Sequence, residues 1–138
     1  MFKEHIYDIV LNQVRPEILD IFHMKGPLKV KPKDIPPQIN QNEIEFNHHE
    51  CKNYSGDVYI GQFRKGTTIR EGRGVLISSE NHMYEGFWID DQKFGFGRIL
   101  LSNGNIYQGE WSQDVSRGLG IYCTAEGLMY KGEWVDNK

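Results

Sequence analysis

Hydrophobic and polar positions alternate through the second half of the chain, in a unit that returns about every 23 residues. In the stretch 107–111, for example, a period of two places Tyr107, Gly109 and Trp111 on one face and Gln108 and Glu110 on the other. A short apolar run follows in each unit, at 75–77, 99–101 and 121–123. Such runs are typical of strands. The pattern therefore predicts two strands per unit.

The unit begins at a tyrosine, which occurs as Tyr59, Tyr84, Tyr107 and Tyr130. A glycine lies two residues after each tyrosine, as Gly61, Gly86, Gly109 and Gly132. An aromatic residue lies four residues after it, as Phe63, Trp88, Trp111 and Trp134. A Gly-x-Gly pair then follows, at 72–74, 95–97 and 118–120. The first unit carries two extra residues near 66–68, where we expect a longer loop.

The glycines suggest how the unit packs. A glycine in a strand interior weakens the strand unless something approaches it closely. Each one here lies between two aromatics on the same face, so we expect rings to lie over the backbone at these structural glycines. The Gly-x-Gly pair predicts a bend or bulge before the second strand, reached through about six linker residues. Asn103-Gly104 predicts a tight turn, and Asn81 fills the same position one unit earlier.

The complete pattern resembles the MORN (membrane occupation and recognition nexus) repeat family over residues 54–138. The resemblance implies an elongated, twisted antiparallel β-meander. It also implies scaffold roles of the kind that MORN proteins have in cilia, the cell cortex and other cytoskeletal assemblies. Family members are also linked to membranes and phosphoinositides, and some arrays precede lipid-kinase or methyltransferase domains.

The two ends of the array differ. Counting back from Tyr59 puts His49 at the end of a Gly-x-Gly position, so residues 50–54 are expected to form a strand that starts the sheet. At the other end, Trp134 closes a first strand with no Gly-x-Gly after it, which predicts an open edge. An open edge is a template for pairing with another chain. We therefore assign residues 44–138 to the sheet.

Residues 1–25 are predicted to be a helical arm. Pro16 suits the first turn of a second helix in this arm, and Gly26 with Pro27 ends it. Its apolar stripe is a candidate partner-binding surface, made of Ile18, Leu19, Ile21 and Phe22. Residues 26–43 are rich in Pro and Lys and predict an extended linker. We expect the helices to order only against a partner or the sheet, and residues 44–138 to fold alone.

Chemistry-bearing residues form no convincing reactive site in the sequence. Residues 48–51 are His-His-Glu-Cys, but neighbours on a strand point to opposite faces and no second cluster lies at zinc-site spacing. Each Gly-x-Gly pair lies between two strands, whereas a phosphate loop lies between a strand and a helix. No nucleophile or acid–base pair has a distinctive spacing. We therefore expect no catalytic residue, no metal and no cofactor.

Charge and composition limit the classes of partner that the chain can bind. Lys plus Arg is 16 against 19 Asp plus Glu, a net charge of −3, which argues against a nucleic-acid binder. Lysines at 25, 29, 31 and 33 could attract an anionic membrane, but residues 54–138 carry a net charge of −2, so membrane contact is possible but not favoured. No apolar run approaches the ~18 residues of a membrane span. The two cysteines suggest a reducing, cytoplasmic compartment.

The aromatic repeat face is the main candidate for partner binding, because a single sheet leaves part of its surface uncovered. Its members are Tyr59, Phe63, Tyr84, Trp88, Tyr107, Trp111, Tyr130 and Trp134. The preferred function is a non-enzymatic scaffold whose partners are other protein subunits. A single Ala beside 14 Ile suggests AT-rich coding, as in protists, and favours a ciliary or axonemal assembly. The alternatives are a membrane or phosphoinositide tether and a regulatory segment of a larger enzyme.

Overall fold

The computed structural model describes residues 7, 12, 16–52 and 56–138, with side chains outside 48–52. Apart from residues 7 and 12, the first part of the predicted helical arm lies outside the described residues, as do the side chains of the His-His-Glu-Cys cluster. The described elements are helix α1 (Pro16–Lys25) and strands β1 (Ile44–Lys52), β2 (Val58–Arg64), β3 (Arg70–Ile77), β4 (Met83–Ile89), β5 (Gln92–Leu100), β6 (Ile106–Ser112), β7 (Val115–Cys123) and β8 (Met129–Trp134).

The strands form one open antiparallel sheet in which each strand pairs with its neighbours in sequence. The mid-strand glycine of each repeat lies opposite the second glycine of a Gly-x-Gly pair, for instance Gly109 opposite Gly120. The same glycine also faces the Gly-x-Gly pair of the preceding repeat, as Gly97 opposite Gly109 shows. The predicted fold class, a β-meander with a helix near its N-terminus, is confirmed.

The connection inside each repeat is shorter than the sequence suggested. The predicted six-residue linker between the aromatic and the Gly-x-Gly pair is wrong, because the strands continue to a two-residue turn. Asp90 and Asp91 form this turn with φ of 49° and 69°, and Gln113 and Asp114 repeat it at 50° and 71°. Two consecutive residues with φ > 0 define the hairpin turn that matches strand twist. The first repeat instead has a loop at residues 65–69, where the insertion was predicted.

The Gly-x-Gly pairs lie within the second strands and not before them. Gly72 and Gly118 belong to β3 and β7, and each has a φ of +102°, a conformation that favours glycine. The predicted bulge is present, since the register shifts next to the mid-strand glycine, between Gly109 and Trp111 for example. The turns between repeats also follow the prediction, with Asn81 at φ 63° and Gly104 at φ 94°.

Helix α1 packs on the face of the sheet opposite the repeat aromatics. It begins at Pro16 and ends before Gly26, whose φ is +73°. Ile18 is 0% exposed and Phe22 is 5% exposed in a core shared with the sheet, while Leu19 and Ile21 are half-buried. The sheet's side chains in this core are Val58, Ile60, Val75, Ile77, Met83 and Leu100. The arm is thus ordered against the sheet, one of the two outcomes expected.

The segment predicted as an extended linker lies along the sheet. It contains two short 3-10 turns, Pro32–Asp34 and Gln41–Glu43, and buries Leu28 and Ile39. Ile39 packs with Ile44 and with Phe87 of β4. The Pro- and Lys-rich composition predicted a linker, but the apolar residues between the prolines pack against the sheet. Because removing residues 1–43 would uncover this core, independent folding of residues 44–138 is no longer expected.

A buried polar cluster joins the arm, a name that from here on covers all described residues up to Glu43, to the sheet. Glu85 of β4 forms an ion pair with Arg98 of β5, and both side chains are almost fully buried. The Glu85 carboxylate also accepts from the Tyr7 hydroxyl at 2.7 Å and from the Leu28 backbone N–H at 2.9 Å. Arg98 in turn donates to the Gly26 carbonyl at 2.6 Å. The arm therefore supplies hydrogen bonds that this buried pair requires.

We predict that Glu85→Gln lowers the free energy of unfolding by about 3 kcal/mol, because Arg98 would then be a buried charge without its carboxylate. Urea unfolding of the full chain measures the loss. The matched control is Glu126→Gln, which removes the same charge from an exposed turn. Equal, small effects of the two substitutions would show that the buried pair does not hold the arm.

Candidate partner-binding surfaces

The aromatic face is a continuous row of rings that meet edge to face. The ring centroid of Tyr84 lies 5.2 Å from that of Trp88 in its own repeat, at an interplanar angle of 80°. It lies 5.3 Å from the ring centroid of Trp111 in the next repeat, at 88°. Tyr107 repeats this arrangement with Trp111 and Trp134, at 5.3 and 5.4 Å. Tyr84 and Tyr107 therefore each join two repeats through two favourable edge-to-face contacts.

The rings of Tyr59, Tyr84 and Tyr107 also lie over the glycines, as predicted from their spacing. The hydroxyl of Tyr84 donates to the Phe87 carbonyl at 3.0 Å, and Tyr107 donates to the Glu110 carbonyl at 3.0 Å. A Cβ added at Gly109 would lie 2.5 Å from the Gly120 Cα and 2.7 Å from the Tyr107 hydroxyl. Positions 61 and 86 are equally crowded, whereas a Cβ at Gly132 would meet nothing within 4 Å.

The predicted aromatic face is largely buried within the chain itself. Its first six members, from Tyr59 to Trp111, are buried, and Trp134 is half-buried. Tyr130 is 56% exposed. The structure thus brings seven of the eight predicted residues together as one packed surface, and Tyr130 lies outside it. Partner binding by these rings, and by the four residues of α1, stays a prediction.

Hydrogen bonds of the turn residues link successive repeats. The Asp91 backbone N–H donates to the Arg70 carbonyl at 3.0 Å, while the Asp91 carboxylate accepts from the Arg70 backbone N–H at 3.1 Å. Asp114 holds Lys93 in the same way, and Asn137 holds Ser116. These positions recur every 23 residues, but their importance was not recognised in the sequence.

The charged members of these clamps have shifted pKa values. Partial burial opposes ionisation of Asp91, but hydrogen bonds from the Arg70 side chain and backbone outweigh it and lower the Asp91 pKa. Burial lowers the pKa of Lys93, whose ammonium lies among rings, although the Asp114 carboxylate opposes the shift.

The opposite face carries a groove beside the arm. Its volume is about 720 Å³, and it runs from the turn at Pro36 across β5 to β8. Leu119 and Ile121 supply apolar lining, while Glu110 and Lys131 supply charge. Leu119 is 68% exposed. Sequence analysis did not single out this groove, although the alternation of β7 places Leu119 and Ile121 on the face away from the rings.

Strand β8 forms the open edge expected from the sequence. In the described part of the chain it pairs with β7 alone. Its first residues are Met129, 65% exposed, and Tyr130, and the turn that follows uses Asp136 and Asn137 at φ 49° and 70°. This turn repeats the geometry of the two earlier turns, so the array geometry persists to the end of β8.

We predict that Gly109→Val destabilises the sheet by about 1–3 kcal/mol, because its side chain would collide with backbone and with the Tyr107 hydroxyl. Gln108→Val, on the exposed neighbouring position, is the matched control and should change stability little. Thermal unfolding of both variants tests the assignment of the two faces. Equal shifts in Tm would refute it.

We predict a loss of stability at alkaline pH that depends on the tyrosine row. Burial, aided by the Glu110 carboxylate, raises the pKa of Tyr107 from 10.0 to about 12. The unfolded chain therefore loses this proton first, so stability is complete below about pH 10 and falls as pH rises toward the folded pKa. Urea unfolding at pH 9 to 12 measures the slope, which should be shallower in Tyr107→Phe. An unchanged slope in that variant would contradict the prediction.

Comparison with known families agrees with this geometry. The family model described as MORN repeat matches residues 59–83, 84–106, 107–129 and 130–138, more than half of the chain. Each match begins at one of the four repeat tyrosines. MORN repeats suggest a protein-interaction or membrane-associated role. A search of curated proteins gave no match.

Among the described residues, no helix is both long enough and apolar enough to cross a bilayer.

Proposed function

Since the chain belongs to the MORN repeat family, we propose that it is a non-enzymatic protein-interaction module whose docking surface is the groove beside its own arm. The observation that carries this proposal is the uneven cover of one sheet face. The arm buries that face over the first repeats, while Leu119 on β7 remains 68% exposed at the groove. An exposed apolar groove with a polar rim is typical of an interaction site.

The occupant that we propose is an extended segment of a partner protein. The arm supports this choice, because it is itself a polypeptide segment that packs on the same face of the sheet. It inserts Leu28 and Ile39 and bonds its backbone to sheet side chains, with the Leu28 N–H on Glu85 and the Gly26 carbonyl on Arg98. A partner segment in the groove would continue this cover across β6 to β8.

The chemistry of the groove limits the partner. Ile35, Leu119 and Ile121 favour apolar side chains, while Lys33 and Lys131 are balanced by Asp34 and Glu110, so the rim favours no strong net charge on the partner. Gln108 takes the place in its repeat that Glu85 has in the buried cluster, and its exposed amide can bond the partner's backbone. The partner class is thus an extended, apolar peptide segment of low net charge.

The wider setting follows from the family resemblance. We propose that the chain is a scaffold subunit of a larger assembly in the cytoplasm, of the cytoskeletal or ciliary kind, with other protein subunits as partners.

The test is a peptide-display selection on the full chain, followed by affinity measurement with the selected peptides as synthetic ligands. We expect apolar peptides of low net charge whose affinity falls at least tenfold in Leu119→Glu. The matched control is Leu128→Glu, at another exposed leucine, in a turn outside the groove, which should bind normally.

Two results would contradict the proposal. One is a set of selected peptides whose affinity is the same for Leu119→Glu and the wild type. The other is strong, salt-sensitive flotation of the chain with anionic vesicles that is lost when the exposed lysines 25, 29, 31 and 33 are neutralised. That result would favour a membrane tether.

A further inference from the structure

The first two repeats each place a cation of their own among the rings. The Arg70 guanidinium carbon lies 4.2 Å from the Trp88 ring centroid and 5.8 Å from that of Tyr59. The Lys93 ammonium lies 5.5 to 5.8 Å from the centroids of three rings, those of Tyr84, Trp88 and Trp111. All these distances fall within the range of cation–π attraction.

The two cations occupy the same position of the repeat. Arg70 lies near the start of β3 opposite Phe63, and Lys93 lies near the start of β5 opposite Trp88. Each is held by a turn aspartate, Asp91 for the first and Asp114 for the second. The repeat therefore builds a cage from one tyrosine and its flanking aromatics, which accepts a guanidinium in one case and an ammonium in the other.

The third repeat builds the same cage around an uncharged residue. The equivalent of Arg70 and Lys93 is Ser116, opposite Trp111 in β7, and its hydroxyl lies 2.9 Å from the Asn137 side-chain oxygen. Tyr107 meets Trp111 and Trp134 at 5.3 and 5.4 Å, as Tyr84 meets Trp88 and Trp111 at 5.2 and 5.3 Å. The rings are thus repeated, but the side chain at the cation position is short.

A cavity of about 300 Å³ lies at this third cage. Tyr107, Trp111 and Trp134 line it, together with Ser116 and Asn137. This volume is at the lower end for small-ligand sites, which suits a single side-chain end or head group. Trp134 is half-buried, so the cage is accessible at the C-terminal end of the face.

Charge around the cage favours a cationic guest. The aromatic faces present negative potential and supply the local attraction. The Asp114 carboxylate and the Lys93 ammonium both border the cavity, 4.0 Å from each other, so their charges offset. Residues 107–138 carry five Asp plus Glu against three Lys plus Arg, which attracts cations over a longer range.

We propose that the cage of Tyr107, Trp111 and Trp134 binds the guanidinium of an arginine side chain from a protein partner, in the place that Arg70 and Lys93 occupy in their own cages. Arginine suits the site better than lysine, because its planar, weakly hydrated group stacks on aromatic rings. The site lies on the opposite face from the groove, and it rests on the proposed function only in taking a protein as the source of the arginine.

The test uses Nα-acetyl-arginine amide as the probe and the full chain labelled with 15N. The indole N–H groups are suitable reporters, because Trp111 donates to the Gly97 carbonyl and Trp134 to the Gly120 carbonyl. We expect saturable shifts of these two indole signals and a much smaller shift for Trp88. The citrulline analogue, equal in shape but neutral, should bind about tenfold more weakly.

Two variants check the location of binding. Ser116→Arg supplies the cage with a tethered cation, as in the first repeat, and should abolish probe binding. Ser116→Ala is the matched control, because it leaves the cage open and should keep probe binding. Trp134→Leu, at a half-buried ring on the edge strand, should also abolish binding, and it provides a second check if Ser116→Arg fails to fold.

Equal shifts with the arginine and citrulline probes, or undiminished binding in a folded Ser116→Arg variant, would overturn the proposal. Absence of any saturable shift would overturn it as well. The groove variant Leu119→Glu should bind the probe normally. Failure of the cage is therefore distinguishable from failure of the groove, which is tested separately with selected peptides.

Discussion

The sheet depends on the contact between the first three repeat tyrosines, Tyr59, Tyr84 and Tyr107, and the glycines beneath their rings. The ring covers backbone where a Cβ would lie only 2.5 Å from the hydroxyl of Tyr84, at both Gly86 and Gly97. The hydroxyl is thereby brought to a carbonyl three residues further along the same strand. With the tyrosine fixed, its edge faces two neighbouring aromatics, one in each of two repeats. Three features of the fold therefore have one physical origin in the glycines: the close approach of the strands, the bulge and the continuous row of rings.

A single sheet must still bury its second face, and this chain does so with its N-terminal arm. The apolar part of the arm packs on the first repeats, and the Glu85–Arg98 pair fixes where the arm crosses the sheet. A buried pair needs further hydrogen bonds, which here come from Tyr7, Leu28 and Gly26. Because those partners belong to the arm, the pair makes one docking position more favourable than its alternatives. The cover stops beside β5, and the groove begins there.

The sequence predicted the features that repeat and missed those that occur once or involve distant residues. The ring face, the open sheet and the Asn81 and Gly104 turns follow from local spacing. The turns at Asp90 and Gln113 were missed because neither pair contains the glycine that usually marks two consecutive positive φ values. Docking of the segment 26–43 was missed because Pro and Lys dominate its composition, while Leu28 and Ile39 make its contacts. Predicting the groove and the third cage requires knowing which parts of the surface no side chain covers. Periodicity alone does not give this information.

The residue after each repeat tyrosine shows how one repeated backbone can present different surfaces. Ile60, Glu85, Gln108 and Lys131 occupy this position on the face away from the rings. Ile60 is buried beneath the arm and Glu85 anchors it, whereas Gln108 and Lys131 are exposed at the groove. Each of the four pairs with a residue that directly follows a Gly-x-Gly pair, as Ile60 does with Val75 and Lys131 with Ile121. Substitution at this position therefore changes what covers a repeat without changing the repeat. The same reasoning applies to the ring face, where the cage geometry is repeated but the residue inside it is Arg70, Lys93 or Ser116.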